Sequence, residues 1–206
     1  MNKQPFIICS YYTLETPYQD ISHKYLIPSI EKLQLKSDVR GIENKGSWQL
    51  NTSYKPQFIK EMLEKHNENI VWIDVDAEVL SYPYLFEEIP EEYNFAAHML
   101  NRNDWYNIKL EPHDERELLT GTLFIRNNQN AKTIINIWTE ECKQNKAWEQ
   151  KVLQKIFEQY NIKICELPIG YSYIKTLPDG SKPNIQCPSP VIIHNQVSRL
   201  LKNKIR

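Results

Sequence analysis

An unbroken apolar run, Ile70-Val71-Trp72-Ile73, ends without a spacer in Asp74-Val75-Asp76. A strand that is apolar at every position has no face to offer water, so it belongs inside a sheet covered on both sides, as parallel sheets are. Helices must then lie above and below it. Alternate residues of an extended chain point the same way, so Asp74 and Asp76 present two carboxylates on one side. They stand at a strand's carboxyl end, where open α/β sheets bind ligands. Two carboxylates there make a site for a hard cation such as Mg²⁺ or Mn²⁺, although two acids after a strand are also a common solvated turn.

The rest of the chain alternates in keeping. Phe6 to Ser10 reads as a first strand that stops at Ser10-Tyr11-Tyr12-Thr13. Thr16-Pro17 starts a helix that Pro28 kinks or breaks, and Val39 to Ile42 follows as a second strand. Asn44 to Asn51 reads as a polar loop, after which Thr52 or Ser53 caps a helix carrying Phe58, Ile59, Met62 and Leu63 on one face. Phe95 to Leu100 and Leu118 to Ile125 are strand candidates separated by a long polar loop, Asn101 to Glu117. Ala131 to Cys142 and Trp148 to Tyr160 are amphipathic helices, and Ile162 to Leu167 and Val191 to Ile193 complete the strands. The expectation is one α/β domain over residues 1–206, with a mixed, mainly parallel sheet flanked by helices.

Composition sets outer bounds. With 25 basic against 26 acidic residues the formal net charge is -1, so no overall field draws the chain to nucleic acid or anionic lipid. The tail from Arg199 to Arg206 is basic and reads as a solvated helix end or a contact for lipid or nucleic acid. No apolar run approaches the ~18 to 20 residues that span a bilayer. The amino-terminal run Phe6 to Cys9 is too short for a signal peptide. The cysteines Cys9, Cys142, Cys165 and Cys187 are scattered without a C-x-x-C pair, and they read as reduced thiols of a cytoplasmic protein.

His194 follows Val191-Ile192-Ile193 and also stands at a strand end. It is either a structural histidine or a third ligand beside the two acids, and an imidazole there tilts a site toward Mn²⁺.

Several runs together resemble a family of nucleotide-diphospho-sugar transferases with the Rossmann-like GT-A fold. They are Ser47-Trp48, Lys55-Pro56-x-Phe58-Ile59, Val71 to Asp76, Leu119 to Phe124, Trp148-Glu149-Gln150 and His194 to Arg199. The resemblance implies a glycosyltransferase with a donor half over about 1–100 and an acceptor half over about 101–206. It implies that Ser10, Tyr11, Tyr12 and Thr13 line a base and ribose pocket, and that Trp48, Asn51 and Lys55 approach the donor. Asp74 would lie near ribose and metal, with Asp76 and His194 as metal ligands, and Thr120-Gly121-Thr122 would floor the transferred sugar. The donor would be a UDP-sugar ahead of a GDP-sugar, and the metal Mn²⁺ or Mg²⁺. The acceptor would be a glycan, a protein, a small molecule or a modified nucleic-acid base.

Glu149-Gln150 stands where such enzymes commonly carry Asp-Gln; Glu149 is a candidate base, and Asp114 and Glu115 are rival carboxylates. Three other functions compete. A haloacid-dehalogenase-like phosphatase also uses Asp-x-Asp after a strand, but usually places Thr or Val where this chain has Glu78. A sugar-nucleotide pyrophosphorylase would need a glycine-rich loop where Ser10 to Thr13 has no glycine. A non-catalytic nucleotide- or carbohydrate-binding module is the third.

Overall fold

The computed structural model describes residues 5–144, 148–177 and 179–197, and the apolar run lies at its centre. This strand, β3 (Asn69–Ile73), sends Ile70 and Trp72 into one core and Val71 and Ile73 into another. Beside it β1 (Phe6–Thr13) divides likewise, with Ile7 and Cys9 on the first face and Phe6 and Ile8 on the second. Both strands are buried on both faces, as their sequences demand.

The main sheet has the order β2 (Ser37–Ile42), β1, β3, β6 (Arg116–Ile125), β5 (Phe95–Asn101), β7 (Cys165–Glu166). β1 is parallel to β2 and β3, and β5 is parallel to β7, whereas β6 is antiparallel to β3 and β5. One strand of six therefore opposes the rest, and the sheet is mixed and mainly parallel as expected. Helices α4 (Lys55–His66), α6 (Gln129–Gln144) and α7 (Glu149–Gln159) cover the first face through Phe58, Met62, Trp138 and Leu153. The second face is covered by α2 (Leu26–Lys32), which follows α1 (Pro17–Lys24), and by a small sheet of order β4 (Ala77–Val79), β9 (Ile192–His194), β8 (Tyr173–Ile174).

Where the structure departs from the sequence reading, a tertiary partner explains it. β1 runs past Ser10 to Thr13 because Ser10 to Thr13 pair with Val39 to Ile42 of β2, and Tyr and Thr suit a strand once a neighbour exists. The run ending at Ile193 does not join the main sheet: β9 pairs antiparallel with β4 instead, beside the acids. Only Cys165–Glu166 of the expected last main-sheet strand is extended. Part of the expected polar loop is helical, as α3 (Trp48–Ser53), capped by Ser47, whose Oγ accepts from Leu50 N at 3.2 Å; Thr52 and Ser53 lie inside it, and Tyr54, without a side-chain cap bond, stands at the start of α4 in their place. Pro28 lies in the first turn of α2, where a missing N–H costs nothing, so the break falls at Tyr25. The long loop contains α5 (Arg102–Tyr106) and a one-turn 3₁₀ helix, Pro112–Asp114. The basic tail from Arg199 lies outside the described residues. Among the described residues no helix is long and apolar enough to cross a membrane.

Edge strand β2 is fastened to α4 through Asp38. Its carboxylate accepts two bonds from Arg40 (2.8 and 2.7 Å), one from Lys65 Nζ (2.8 Å), and meets the His66 ring at 2.7 Å. Arg40 first, then Lys65 and His66, hold this carboxyl well below the usual range against partial burial. A carboxyl depressed in the native state contributes fully above its unfolded-state pKa of about 3.9 and loses that contribution as pH falls below it. Asp38→Asn should therefore lower the urea midpoint near neutral pH, and the gap from wild type should narrow steadily between about pH 4 and about pH 2.

Candidate functional site

At the carboxyl end of β3 the ladder continues one residue further, with Asp74 N donating to Gly121 O at 2.8 Å. Trp72, two residues back and on the same side, donates its indole N–H to Asp74 Oδ1 at 2.7 Å. Ala77 N then donates to Asp74 O at 3.0 Å, which turns the chain into β4, and the β4–β9 register sets His194 opposite Ala77. One ligand atom each from Asp74, Asp76 and His194 therefore lies within 4.8 Å of the others.

β6 supplies the floor through an irregularity. Ala97 of β5 pairs with Leu123, but the next residue, His98, pairs with Leu119, so Thr120, Gly121 and Thr122 are looped out from β5. Such bulges re-aim side chains, and each of the three is used. Thr120 N donates to Gln150 Oε1 (3.1 Å), and Thr122 Oγ1 lies 2.9 Å from His194 Nε2. Gly121 leaves the room that the histidine ring fills: a Cβ there would stand 2.8 Å from His194 Cε1 and 3.1 Å from Nδ1.

Burial gives the cluster its electrostatics. Asp76 is 8% exposed, and burial first and the neighbouring Asp74 second push its carboxyl up to about 7. Its Oδ2 accepts from Val197 N at 2.9 Å, a partial compensation. His194 is 3% exposed, and burial, assisted by the Lys55 charge and opposed by Asp74, lowers its pKa to about 4. The ring is neutral near pH 7, as a metal ligand must be. In the tautomer that donates Nε2–H to Thr122, Nδ1 keeps a lone pair on the edge bordering Gly121 and Asp74. A buried and a part-exposed carboxylate beside a neutral imidazole fit a divalent cation, and the nitrogen donor suits Mn²⁺ better than Mg²⁺.

Lys55, the first residue of α4, is buried beneath this cluster. Its Nζ meets Glu149 Oε1 at 2.7 Å, Asp74 Oδ1 at 3.2 Å, and both the carbonyl and hydroxyl oxygens of Thr120 at 3.4 Å. Burial alone would lower its pKa, but Asp74 and Glu149 more than offset that, so the ammonium keeps its charge. Glu149 is 2% exposed; its Oε1 also accepts from the Thr120 hydroxyl at 3.3 Å, and its Oε2 is buried without a hydrogen bond among the described residues. Gln150 is buried as well and donates from Nε2 to Glu117 Oε1 at 2.9 Å.

The remaining expected site residues divide. Ser10 Oγ donates to Ile73 O at 2.6 Å and so fixes β1 against the end of β3. Tyr11 packs into the core against Tyr54, Phe58 and Trp72, with its hydroxyl on Asn51 O at 2.5 Å. Thr13 bonds Thr16 at 2.7 Å, and Tyr12 is half-buried beside the His23 ring. The Asn51 side chain ties the preceding loop through Lys45 N and Asn44. Trp48 lies 6.4 Å from Trp148 and donates to the hydroxyl of Tyr18, which burial and then the charges of Asp76 and Asp74 push up to about 12. Asp114 and Glu115 are not brought to the cluster: Asp114 pairs with His113 in the exposed turn before β6, and from Arg116 to Gly121 the strand spans roughly 16 Å.

Sequence reasoning assigned no role to Trp72, Tyr18 or Asn195. Asn195 donates its backbone N–H (3.1 Å) and side-chain Nδ2 (3.0 Å) to Asp76 O, and Nδ2 also reaches Glu78 Oε1 at 3.1 Å. Trp72 was signalled by its i, i+2 relation to Asp74; Asn195 and Tyr18 depend on long-range pairing that no local pattern announces.

A family model described as nucleotide-diphospho-sugar transferase matches residues 21–206. No curated protein matches. Among solved structures, one titled a glycosyltransferase involved in the glycosylation of the major capsid of PBCV-1 superposes with a TM-score of 0.66 at 14% identity, covering 98% of this chain and 99% of its own. The WbbM bifunctional glycosyltransferase, in its apo structure, gives a TM-score of 0.64 at 14% identity, covering 95% of this chain and 46% of the longer one. The likeness extends over the whole chain in the first case, and the fold is the GT-A glycosyltransferase fold.

Gly121→Ala should displace the His194 ring and weaken Mn²⁺ binding by about tenfold or more in calorimetry, the range seen when ligand support is lost. Gly170→Ala, where the nearest neighbour would be Cys187 Sγ at 3.4 Å, should leave Mn²⁺ binding unchanged.

Proposed function

The chain belongs to the nucleotide-diphospho-sugar transferase family, and from that premise we propose that it moves a hexose or related sugar from a uridine- or guanosine-diphosphate donor to a hydroxyl acceptor, using a divalent metal held by Asp74, Asp76 and His194. Family membership sets aside the phosphatase and pyrophosphorylase readings. The observation that carries the proposal is the convergence of the three ligand atoms at the ends of β3 and β9. Mn²⁺ is the ion this donor set favours. When bound, the metal offsets the negative charge that develops on the departing diphosphate.

The chain's own residues supply position and field. Asp74 has the open side, with its side chain 40% exposed, and so is the carboxylate that can meet both ribose and metal. Lys55 is engaged on Glu149 and Asp74, so it serves as a fixed charge behind Asp74. Glu149 is accordingly a positioning residue that holds Lys55, in place of a base on the acceptor hydroxyl. Gln150 fixes the Thr120 backbone, and Thr120, Gly121 and Thr122 floor the sugar. Tyr12 and Trp48, half-buried where Ser10, Tyr11 and Thr13 are buried, provide the contacts to base and ribose. The donor half extends over about 1–100, and the rest serves the acceptor. We place the reaction in the cytoplasm on the strength of the cysteine pattern.

A thermal-shift series with UDP, GDP, CDP and ADP, each with and without Mn²⁺, tests this. One nucleotide should stabilise the chain only with metal, by about 2.7 kcal/mol at a hundredfold excess over Kd. Asp76→Ala should lose that response and any metal-dependent donor hydrolysis. Metal-independent stabilisation, or wild-type turnover in Asp76→Ala, would contradict the mechanism, and binding without any hydrolysis would favour a non-catalytic module.

A further inference from the structure

A second concave site lies across β5 from the metal cluster. The cavity holds about 400 Å³ and lies between the far half of β5, β7 and the segment around α5. That volume is in the range of small-ligand pockets, which begin at roughly 300 Å³, and has room for a mono- or disaccharide unit. One part of its lining is polar, from His98, Asn101, Glu115, Arg116 and Glu166. The other is apolar, from Leu100, Trp105, Ile169 and Ile185.

Three features point to its ligand. The lining holds two carboxylates, and its single arginine is committed to one of them, with Arg116 Nη2 bonding both oxygens of Glu166 at 2.8 and 2.7 Å. Such a lining repels phosphate and other anions, so it is no extension of a nucleotide site. Carboxylates, an amide and an imidazole beside apolar walls suit instead a neutral molecule rich in hydroxyls with apolar C–H faces. Ile185 is 36% exposed, so the rim carries apolar surface open to solvent.

The location is apt for a transfer partner. His98 is paired with Leu119, the residue next to the looped-out Thr120, and the pocket therefore begins one strand away from the sugar floor. Leu119 and Trp105 pack with Ile193, the neighbour of His194, so one small core separates the two sites. We infer that this cavity is the subsite for a neutral saccharide acceptor. The inference rests on the transferase reading for its purpose, but its binding chemistry stands on the cavity alone.

The test is capture of the labelled full chain on an immobilised panel of neutral, amino and anionic oligosaccharides, with the Mn²⁺-dependent thermal shift by nucleoside diphosphate run in parallel. Wild type should bind neutral oligosaccharides. Ile185→Trp, which fills the cavity from its exposed rim, should cut that capture at least tenfold. The nucleotide shift should persist in this variant, showing that it folds. Undiminished capture by Ile185→Trp, capture of anionic oligosaccharides alone, or no capture by wild type would each overturn the assignment. Failure of the transferase reading would show separately, as a missing nucleotide shift in wild type.

Discussion

The ammonium of Lys55 is buried where four elements meet, and the site's geometry depends on it. It begins α4, pairs with Glu149 at the start of α7, touches Asp74 after β3, and reaches Thr120 in β6. Removing one partner from a buried ion pair leaves an uncompensated charge and costs about 3–5 kcal/mol, a large part of the ~5–15 kcal/mol that stabilises a domain. The same contact that fixes Asp74 thus also closes the helical layer onto the sheet. Structure and function share one electrostatic hub.

Around that hub, the candidate cation site is completed by chain turning rather than by strand geometry alone. The bond from Ala77 N to Asp74 O reverses the backbone into β4, and β4 offers an edge that β9 takes, which delivers His194 across from the acids. The bulge in β6 does the corresponding work from the other side, turning Thr122 to the histidine and Thr120 to Gln150. Asp76 is buried against its preferred charge state and His194 is buried in its neutral form, and a divalent cation suits both.

Much of this could be read from the sequence because the signals were local. An apolar tetrapeptide ending in two acids fixes a central strand and the end that bears ligands, and the helices of the first face showed their period of 3.6. Asp74, Asp76 and His194 stand out at strand ends by local pattern, whereas Thr120, Gly121 and Thr122 stand out only through the family resemblance. What was not legible depended on distant partners. Ser10 to Thr13 became strand because β2 lies beside them, and β9 left the main sheet because β4 was available. The burial of Glu149 follows from the packing of α7 under β6, which the first turn of a helix does not reveal by itself.

The central claim is that one divalent cation is held by two carboxylates and the imidazole of His194. Electron spin-echo spectroscopy of the Mn²⁺-loaded chain tests it most directly, because a directly bound imidazole nitrogen modulates the echo. Wild type should show a nitrogen coupling that vanishes in His194→Gln while the Asp74 and Asp76 carboxylates still retain Mn²⁺ weakly. A Mn²⁺ signal without nitrogen coupling in wild type, or the same coupling in His194→Gln, would contradict it.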